Sequence, residues 1–132
     1  MKNSTDEFSF ILKPSTVCDG VGVFSTHAIK EGTHLRLFGD DVKLGDLVRK
    51  KKDVPEFFHA YCIDQGADLI CPKDFGSMSV GWHMNHSKAP VATHRDLDWY
   101  AARDIFAGEE IVIDYNTLGE PEESREDYYN HN

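Results

Sequence analysis

The sequence lacks a long apolar stretch. A helix needs about 20 consecutive apolar residues to cross a bilayer, and no run in the 132 residues approaches that length. Residues 1–7 include charges where a secretory signal peptide has its apolar core. We therefore predict a soluble, intracellular protein without a membrane partner, located in the cytoplasm or, in a eukaryote, the nucleus.

Cysteine is scarce. Cys18, Cys62 and Cys71 are odd in number, far apart and outside any Cys-x-x-Cys motif. This pattern excludes a disulfide framework and a zinc ribbon. We expect the three residues to be buried free thiols.

Positive charge is in deficit, with 14 basic residues against 23 acidic ones and a formal charge of −9. Such a balance disfavours the nucleic-acid backbone as a direct partner and suits a basic peptide. The acidic excess is concentrated near the C-terminus, at Glu120, Glu122, Glu123, Glu126 and Asp127. The basic residues Arg49 to Lys52 are interpreted as the solvated face of a helix.

The length and a 40% apolar fraction fit one folded domain over residues 1–132. Short apolar runs separated by Gly, Pro, Asp and Asn predict a mainly β fold with short helices. The predicted strands are Phe8–Leu12, Val21–Thr26, His34–Phe38, Ala67–Cys71, Asp98–Ala102 and Glu110–Tyr115. The predicted helices are Lys43–Lys52 and Pro55–Tyr61.

Two parts of the chain resemble each other when the sequence is shifted by 76 residues. Phe24, Thr26, Ile29, Gly32, Leu35 and Leu37 then align with Tyr100, Ala102, Ile105, Gly108, Ile111 and Ile113. Each copy has a strand, an Ile-x-x-Gly turn and a second strand with apolar residues at every second position. We expect two equivalent β units around an irregular middle; chance similarity between two hairpins with Gly turns is the alternative.

Three motifs could carry chemistry. Gly20-Val21-Gly22 opens a predicted strand and would let the backbone approach a ligand, although a plain turn gives the same pattern. Asn85-His86-Ser87 lies in a polar segment whose side chains can bind backbone or ligand. Tyr115 ends the run that begins at Glu110, where a strand meets a loop, and is either a functional hydroxyl or a packed core residue.

In this order, the three motifs resemble those of the SET-domain family of lysine methyltransferases. The family's Gly-x-Gly entry matches Gly20-Val21-Gly22, its Asn-His-Ser segment matches Asn85-His86-Ser87 followed by Pro90, and its Glu-[Leu/Ile]-x-x-Asp-Tyr ending matches residues 110–115. The resemblance covers about residues 8–115 and leaves 116–132 as an acidic and aromatic tail. It implies a SET-domain fold, in which small curved β-sheets surround a pseudoknot made by threading the C-terminal segment past the Asn-His-Ser strand.

The resemblance implies an enzyme that transfers a methyl group from S-adenosylmethionine to a lysine of a protein, such as a basic or histone-like tail. The residues implied to bind the cofactor are Gly20, Val21, Gly22, Trp82, Asn85 and His86. Tyr115 would be the catalytic residue, and no metal is expected. The implied lysine channel is lined by Phe38, Ile113, Tyr128 and Tyr129.

The sequence departs from the family pattern at several positions. No Cys-rich zinc segment follows Tyr115, so Tyr128 and Tyr129 are the candidates to close the channel, within one chain or across a homodimer, and a frayed chain end is the alternative. The other departures are Phe38 for a frequent Tyr, Trp82 for Arg or Asn, Lys88 for Cys, Val91 for Asn and Ile113 for Phe or Tyr. In the family, the position that corresponds to Ile113 is associated with the number of methyl groups added. Because this residue differs here, we do not predict whether one, two or three methyl groups are transferred.

Two other functions remain compatible with the residues. A SET fold could hold a peptide or the cofactor without turnover, as the replacements at Phe38 and Val91 suggest. Alternatively, a small β domain could bind a metal through His83, His86 and either His94 or Asp96. Histidines three residues apart, such as His83 and His86, can bind the same metal ion only if they lie on a turn that brings their rings together.

Overall fold

The computed structural model describes residues 4–38 and 44–121, which contain nine short strands and five 3-10 helices. The strands are β1 (Phe10–Pro14), β2 (Val21–Ser25), β3 (Val48–Lys50), β4 (Ile63–Asp64), β5 (Asp68–Ile70), β6 (Asn85–His86), β7 (Ala92–Arg95), β8 (Asp98–Ala101) and β9 (Val112–Ile113). The 3-10 helices are Leu44–Leu47, Lys51–Asp53, Glu56–Tyr61, Val80–His83 and Tyr115–Thr117. The prediction of a mainly β fold with short helices is confirmed.

The strands form four small sheets. β1 pairs with β2 and β7 with β8, both antiparallel, and β3, β5 and β4 form a three-stranded antiparallel sheet in that order. β6 and β9 pair in parallel, although β7 and β8 lie between them in the sequence. The parallel pair brings the C-terminal segment alongside β6.

Five of the six predicted strands are found at their expected places, with shorter or shifted bounds. β1 begins two residues later than predicted, and the predicted strand 110–115 is reduced to β9. The prediction for His34–Phe38 is wrong, since within it His34 alone forms isolated bridges. The Leu37 N–H donates to the Leu35 carbonyl at 2.9 Å, so the backbone turns and the ladder ends.

The helix predicted over Lys43–Lys52 is also wrong within its described part. Residues 44–47 form a 3-10 turn, and β3 then pairs Val48 with Ile70 of β5. This pairing satisfies the backbone hydrogen bonds of β3 in an extended conformation. Tertiary contacts therefore override the helical spacing of the apolar residues in this segment. Pro55–Tyr61 contains the 3-10 helix Glu56–Tyr61. No helix of the described ranges is long and apolar enough to span a membrane.

The predicted internal repeat is present as an approximate two-fold arrangement. At its centre, Ile29 and Ile105 exchange both backbone hydrogen bonds, at 2.9 and 2.7 Å. Around them the backbone bonds occur in equivalent pairs, Gly32 to Ala101 with Gly108 to Ser25, and Leu35 to Trp99 with Ile111 to Val23. Gly32 and Gly108 have φ values of 83° and 82°, a left-handed conformation that explains why both turns use glycine.

Both β units contribute to one apolar core, together with Met84 just before β6 and with Val91 and Ala92 at the start of β7. Its buried members are Val23, Ile29, Leu35, Leu37, Met84, Val91, Ala92, Trp99, Ala101, Ile105, Ile111, Val112 and Ile113. Burying one such side chain contributes about 1.5 to 3 kcal/mol. The core therefore holds the strands that carry the second and third motifs in a fixed register.

A smaller apolar cluster lies in the middle of the chain, where Val54, Leu69 and Cys71 pack with Phe58, Cys62 and Phe75. The thiols are free, but the expectation that all three are buried is wrong, because Cys18 is exposed and Cys62 half-buried. Burial and the neighbouring Cys71 thiol raise the pKa of Cys62 to about 12.

The prediction that Arg49 to Lys52 form one helix face is wrong for Arg49 and Lys50, which lie on β3, whereas Lys51 and Lys52 belong to the 3-10 helix Lys51–Asp53. The Arg49 guanidinium donates to the carbonyls of Pro72 and Lys73, at 3.2 and 2.8 Å. It also lies over the Phe75 ring, 5.3 Å from the centroid. Arg49 is therefore a structural residue that links β3 to the segment after β5.

Candidate functional site

The parallel pair β6–β9 brings the second and third motifs together. Asn85 lies opposite Val112 and His86 opposite Ile113. The ladder is extended by the Ser87 N–H, which donates to the Ile113 carbonyl at 2.8 Å, and by the Val91 N–H, which donates to the Val112 carbonyl at 3.0 Å. Val91 is 2% exposed. At this residue the segment after β6 is therefore held against β9 by a backbone hydrogen bond and apolar packing, without a polar side chain.

Tyr115 lies two residues after β9, and its hydroxyl is held by a backbone carbonyl just before β6. The Tyr115 Oη donates to the Met84 carbonyl at 2.6 Å, and its backbone N–H donates to His86 Nδ1 at 3.0 Å. The two rings lie 5.2 Å apart between centroids. A hydroxyl whose proton is committed to a carbonyl still has oxygen lone pairs that can accept a hydrogen bond.

His86 is almost fully buried, with 3% of its surface exposed. Because Nδ1 accepts the Tyr115 N–H, the imidazole carries its proton on Nε2. The Asp114 carboxylate lies 3.8 Å from the same Nδ1 atom. His86 therefore acts here as a link between β6 and the start of the 3-10 helix that contains Tyr115.

One buried carboxylate joins all three motifs. Glu110, from the third motif, accepts a hydrogen bond from Asn85 Nδ2 of the second at 3.0 Å. It occupies the space beside Gly22 of the first motif, where a Cβ atom would come within 2.3 Å of Glu110 Oε2. The absence of a side chain at Gly22 is thus required by Glu110, whatever else the glycine does.

Glu110 is also bound by the loop between β1 and β2. The Thr16 N–H and hydroxyl donate to Oε1 at 2.7 and 2.6 Å, and the Ser15 hydroxyl donates to Oε2 at 2.8 Å. Burial raises the pKa of Glu110, but the hydrogen bonds from Thr16, Asn85 and Ser15 outweigh it and hold the pKa below its ordinary value. The carboxylate is therefore ionised at neutral pH and ties the β1–β2 loop to β6.

Replacing Glu110 with Gln should remove part of the acid dependence of stability. A carboxylate whose pKa is lowered by folding stabilises the folded chain above its unfolded pKa of about 4.5, and this contribution is lost as the pH falls through the lowered value. We expect Glu110→Gln to be less stable at neutral pH and to lose less stability on acidification. Thermal unfolding from about pH 7 to pH 3 measures both effects.

The matched control is Glu56→Gln, which changes an exposed carboxylate. It should follow the unmodified chain over the same pH range. If all three proteins lose stability in parallel, the hydrogen bonds to Glu110 do not contribute as the structure indicates.

The remaining residues predicted to form the site are placed as follows. Gly20 and Val21 are exposed, and the Val21 carbonyl accepts a hydrogen bond from Asn85 Nδ2 at 2.9 Å. Phe38 and Trp82 are half-buried and pack edge to face, 5.4 Å between centroids. Ile113 belongs to the buried core at 3% exposure. Tyr128 and Tyr129 lie outside the described residues.

The sequence interpretation missed Glu110, Ser15 and Thr16 as members of this site. Glu110 stands at the start of the third motif, so its position was a usable signal. Ser15 and Thr16 precede the first motif in a loop with no distinguishing pattern. Their contribution depends on a contact between residues 94 and 95 positions apart.

The histidines considered as metal ligands do not come together. Within residues 4–38 and 44–121, no group of three or more His, Cys, Asp or Glu side chains is arranged to hold a metal ion. The His94 ring instead contacts the Thr117 carbonyl and accepts from the Leu97 N–H, at 2.9 and 3.0 Å. It also packs against Trp99, 4.6 Å between centroids.

Comparison with known proteins identifies one family and many solved structures of similar fold. The family model of the SET domain matches residues 20–116, whereas no curated protein matches the chain. The structure is similar to the crystal structure of a Plasmodium falciparum protein provisionally named a histone methyltransferase. The TM-score is 0.54 and the identity 18%, over 82% of this chain and 93% of that one. At this identity the likeness shows a shared fold.

Proposed function

The chain belongs to the SET-domain family, and from this we propose that it transfers a methyl group from S-adenosylmethionine to a lysine side chain of a protein. The predicted SET-domain fold is confirmed. The observation that carries the proposal is the convergence of the three motifs, since Gly22, Asn85 and Glu110 are in contact and Tyr115 follows the same strand pair.

The residues next to Gly22 fit a cofactor with a polar amino-acid end. Gly20 and Val21 are exposed residues, and a Cβ at Gly20 would meet one atom within 4 Å, Cys18 Sγ at 3.7 Å. Asn85 uses its Nδ2 for the Val21 carbonyl and Glu110, while its Oδ1 accepts no hydrogen bond from the part of the chain that the structure describes. Oδ1 can therefore accept from a ligand ammonium.

S-adenosylmethionine, when bound, supplies a methyl group on a positively charged sulfur, which a neutral amine can attack. Lysine with an ordinary pKa of about 10.4 is neutral in roughly one molecule in a thousand near pH 7.4, a deficit of about 4 kcal/mol. An apolar channel lowers this pKa by desolvating the ammonium form. The half-buried rings of Phe38 and Trp82 supply apolar surface near the motifs, whereas Ile113 is buried in the core. Tyr128 and Tyr129 are proposed to complete the channel.

Tyr115 is proposed to orient the lysine amine. Its hydroxyl proton is donated to the Met84 carbonyl, so the oxygen can accept an N–H of the amine without forming a salt bridge. A fixed acceptor restricts the direction of the nitrogen lone pair, and most of the acceleration of a direct displacement comes from such alignment. Tyr115 thereby acts as the catalytic residue in this proposal.

The proposed substrate is a protein with a lysine in a basic segment, such as a histone-like tail. The support for this choice is the formal charge of −9, because opposite charge increases the rate of encounter with a basic partner. A small basic protein of another kind would satisfy the same argument.

Calorimetric titration of the full chain with S-adenosylmethionine tests the proposal. We expect saturable binding that is lost or strongly weakened in Asn85→Ala, because the variant removes the free amide oxygen. Gln65→Ala is the matched control. Gln65 lies in the middle region, and its side-chain amide donates to the Gly119 carbonyl instead. The bound protein should then methylate lysines in basic peptides, detected as mass increases by whole multiples of one methyl group.

Two results would overturn the proposal. No binding at millimolar cofactor, with or without a basic peptide, would exclude a cofactor site. Binding without methylation of any lysine-containing protein would instead assign the chain to non-catalytic cofactor-binding modules with the same fold.

A further inference from the structure

Two of the three cysteines lie side by side in the middle region of the chain. Cys71 is fully buried and Cys62 half-buried, and both belong to the small apolar cluster around Val54. Their thiols are free and within hydrogen-bonding reach of each other. The proposed methyl transfer uses neither thiol, so the pair is available for a separate chemistry.

The hairpin of β4 and β5 places Cys62 opposite Cys71. Ile63 of β4 pairs with Ile70 of β5. Cys62 precedes Ile63 and Cys71 follows Ile70, so one further step in the same register sets the two cysteines across from each other. Opposite side chains of an antiparallel pair lie on the same face, with Cβ atoms about 4.5 to 5.5 Å apart. The two thiols therefore face each other at the end of the hairpin.

The backbone N–H groups of the two cysteines are bonded elsewhere. The Cys71 N–H donates to the Leu47 carbonyl at 2.8 Å, and the Cys62 N–H donates to the His59 carbonyl at 3.1 Å. Opposite residues that do not bond to each other are the closer type of antiparallel pair, with Cα atoms about 4.5 Å apart. A disulfide bond spans Cα separations of about 4.4 to 6.8 Å. The backbone position therefore suits a disulfide between the two side chains.

Cys62 is the accessible member of the pair. Its thiol is half-buried and donates to the Phe58 carbonyl at 3.3 Å, whereas Cys71 is enclosed by the cluster. The Arg49 guanidinium, which lies over the Phe75 ring, favours the Cys62 thiolate. Burial and the Cys71 thiol outweigh this cation and raise the pKa of Cys62 to about 12. A small reagent can thus reach Cys62 first, but the thiolate that must attack it is scarce at neutral pH.

We propose that Cys62 and Cys71 are an oxidation site, at which a low-molecular-weight disulfide converts the two thiols into one disulfide bond. The Cys62 thiolate attacks one sulfur of the reagent, forms a mixed disulfide and releases the first reagent thiol. The Cys71 thiolate then attacks the Cys62 sulfur and releases the second. Two electrons pass from the protein dithiol to the reagent, and the two thiol protons end on the released thiols.

The bond would make the middle region responsive to the redox state of its surroundings. It would join the end of the 3-10 helix Glu56–Tyr61 to the end of β5. The proposal is independent of methyl transfer, because both cysteines belong to the second apolar cluster and not to the core that holds β6 and β9.

Mass spectrometry of the full chain after incubation with oxidised glutathione tests the proposal. Remaining thiols are alkylated in denaturant, and trypsin, which cuts after lysine, releases residues 53–73 as one peptide that contains both cysteines. We expect this peptide to lose two hydrogen atoms and to carry no alkyl group. The product should form about tenfold faster for each pH unit between about pH 7 and pH 9, because the thiolate fraction of Cys62 rises by that factor below its pKa.

Serine variants separate the two steps. Cys71→Ser should stop after the first step and keep glutathione on Cys62, whereas Cys62→Ser should leave Cys71 unmodified. The control Cys18→Ser changes an exposed thiol and should form the bond at the unmodified rate. Nuclear magnetic resonance on the oxidised full chain needs no variant. The Cβ signals of Cys62 and Cys71 should shift together, and the amide signals of β6 and β9 should stay in place.

Three outcomes would overturn the proposal. Cys62 and Cys71 that are both still alkylated after Cys18 has reacted completely would show that the pair is not an oxidation site. Glutathione that remains on Cys62 of the unmodified chain would show that Cys71 does not reach it. Peptides 53–73 joined in pairs would place the bond between two copies of the chain.

Discussion

The Tyr115→Phe variant should lose about 99% of methyl transfer while still binding S-adenosylmethionine. The substitution removes the oxygen that is proposed to accept an N–H of the lysine amine. A hydrogen bond to a charged or strongly polarised group contributes up to about 3 kcal/mol, which corresponds to a roughly 100-fold fall in rate. Single-turnover assays at saturating cofactor measure the loss directly.

The matched control for Tyr115→Phe is Tyr100→Phe, which removes a hydroxyl bonded to Asp98 at the surface. Its rate should stay close to that of the unmodified chain. Both variants should bind the cofactor with unchanged affinity in calorimetry. If Tyr115→Phe methylates at the unmodified rate, the assignment of Tyr115 as the catalytic residue is wrong.

The Gly22→Ala variant should lower the melting temperature by roughly 10 °C. The added Cβ would lie 2.3 Å from Glu110 Oε2, 2.8 Å from its Cδ and 3.2 Å from Asn85 Nδ2. Glu110 can yield only by giving up hydrogen bonds to Ser15, Thr16 or Asn85. Overpacking of this kind costs about 1 to 3 kcal/mol, and each kcal/mol is worth about 3 to 5 °C in a domain of this size.

Gly20→Ala is a closely matched control for this prediction. Its Cβ would meet Cys18 Sγ at 3.7 Å, an ordinary contact, so the melting temperature should change little. Combining Gly22→Ala with Glu110→Ala should cost less than the sum of the two changes, because the collision is removed. Strict additivity would show that Glu110 is not the group that excludes a side chain at residue 22.

The parts of the candidate site that lie within motifs could be predicted from the sequence alone. Asn85, His86 and Tyr115 are found together because β6 and β9 pair, as the threaded fold required. The repeat was also visible, since the Gly turns and alternating apolar residues are local patterns. Contacts between distant segments leave no such pattern, and Glu110 with Thr16 is the main example, 94 positions apart.

The errors of the sequence interpretation have a common physical origin. Leu44, Leu47 and Val48 have helical spacing, yet Val48 pairs with Ile70 because a strand partner is available. His34–Phe38 has the alternation of a strand, but its backbone turns at Leu37. In both places the segment is short and has little intrinsic preference for helix or strand. Its conformation is therefore determined by contacts with residues elsewhere in the chain.

The parallel pairing of β6 with β9 also constrains the order of folding. Among the strands of the described residues, β9 is the last to be synthesised, and Glu110, just before it, binds Ser15 and Thr16 of the β1–β2 loop. Contacts of such large sequence separation carry a high loop-closure entropy and make folding slow. The nascent chain therefore exposes the unpaired edge of β6 until β9 has been synthesised. Docking of the C-terminal strand then completes the core and the site in one late step, so a chain interrupted before β9 has neither.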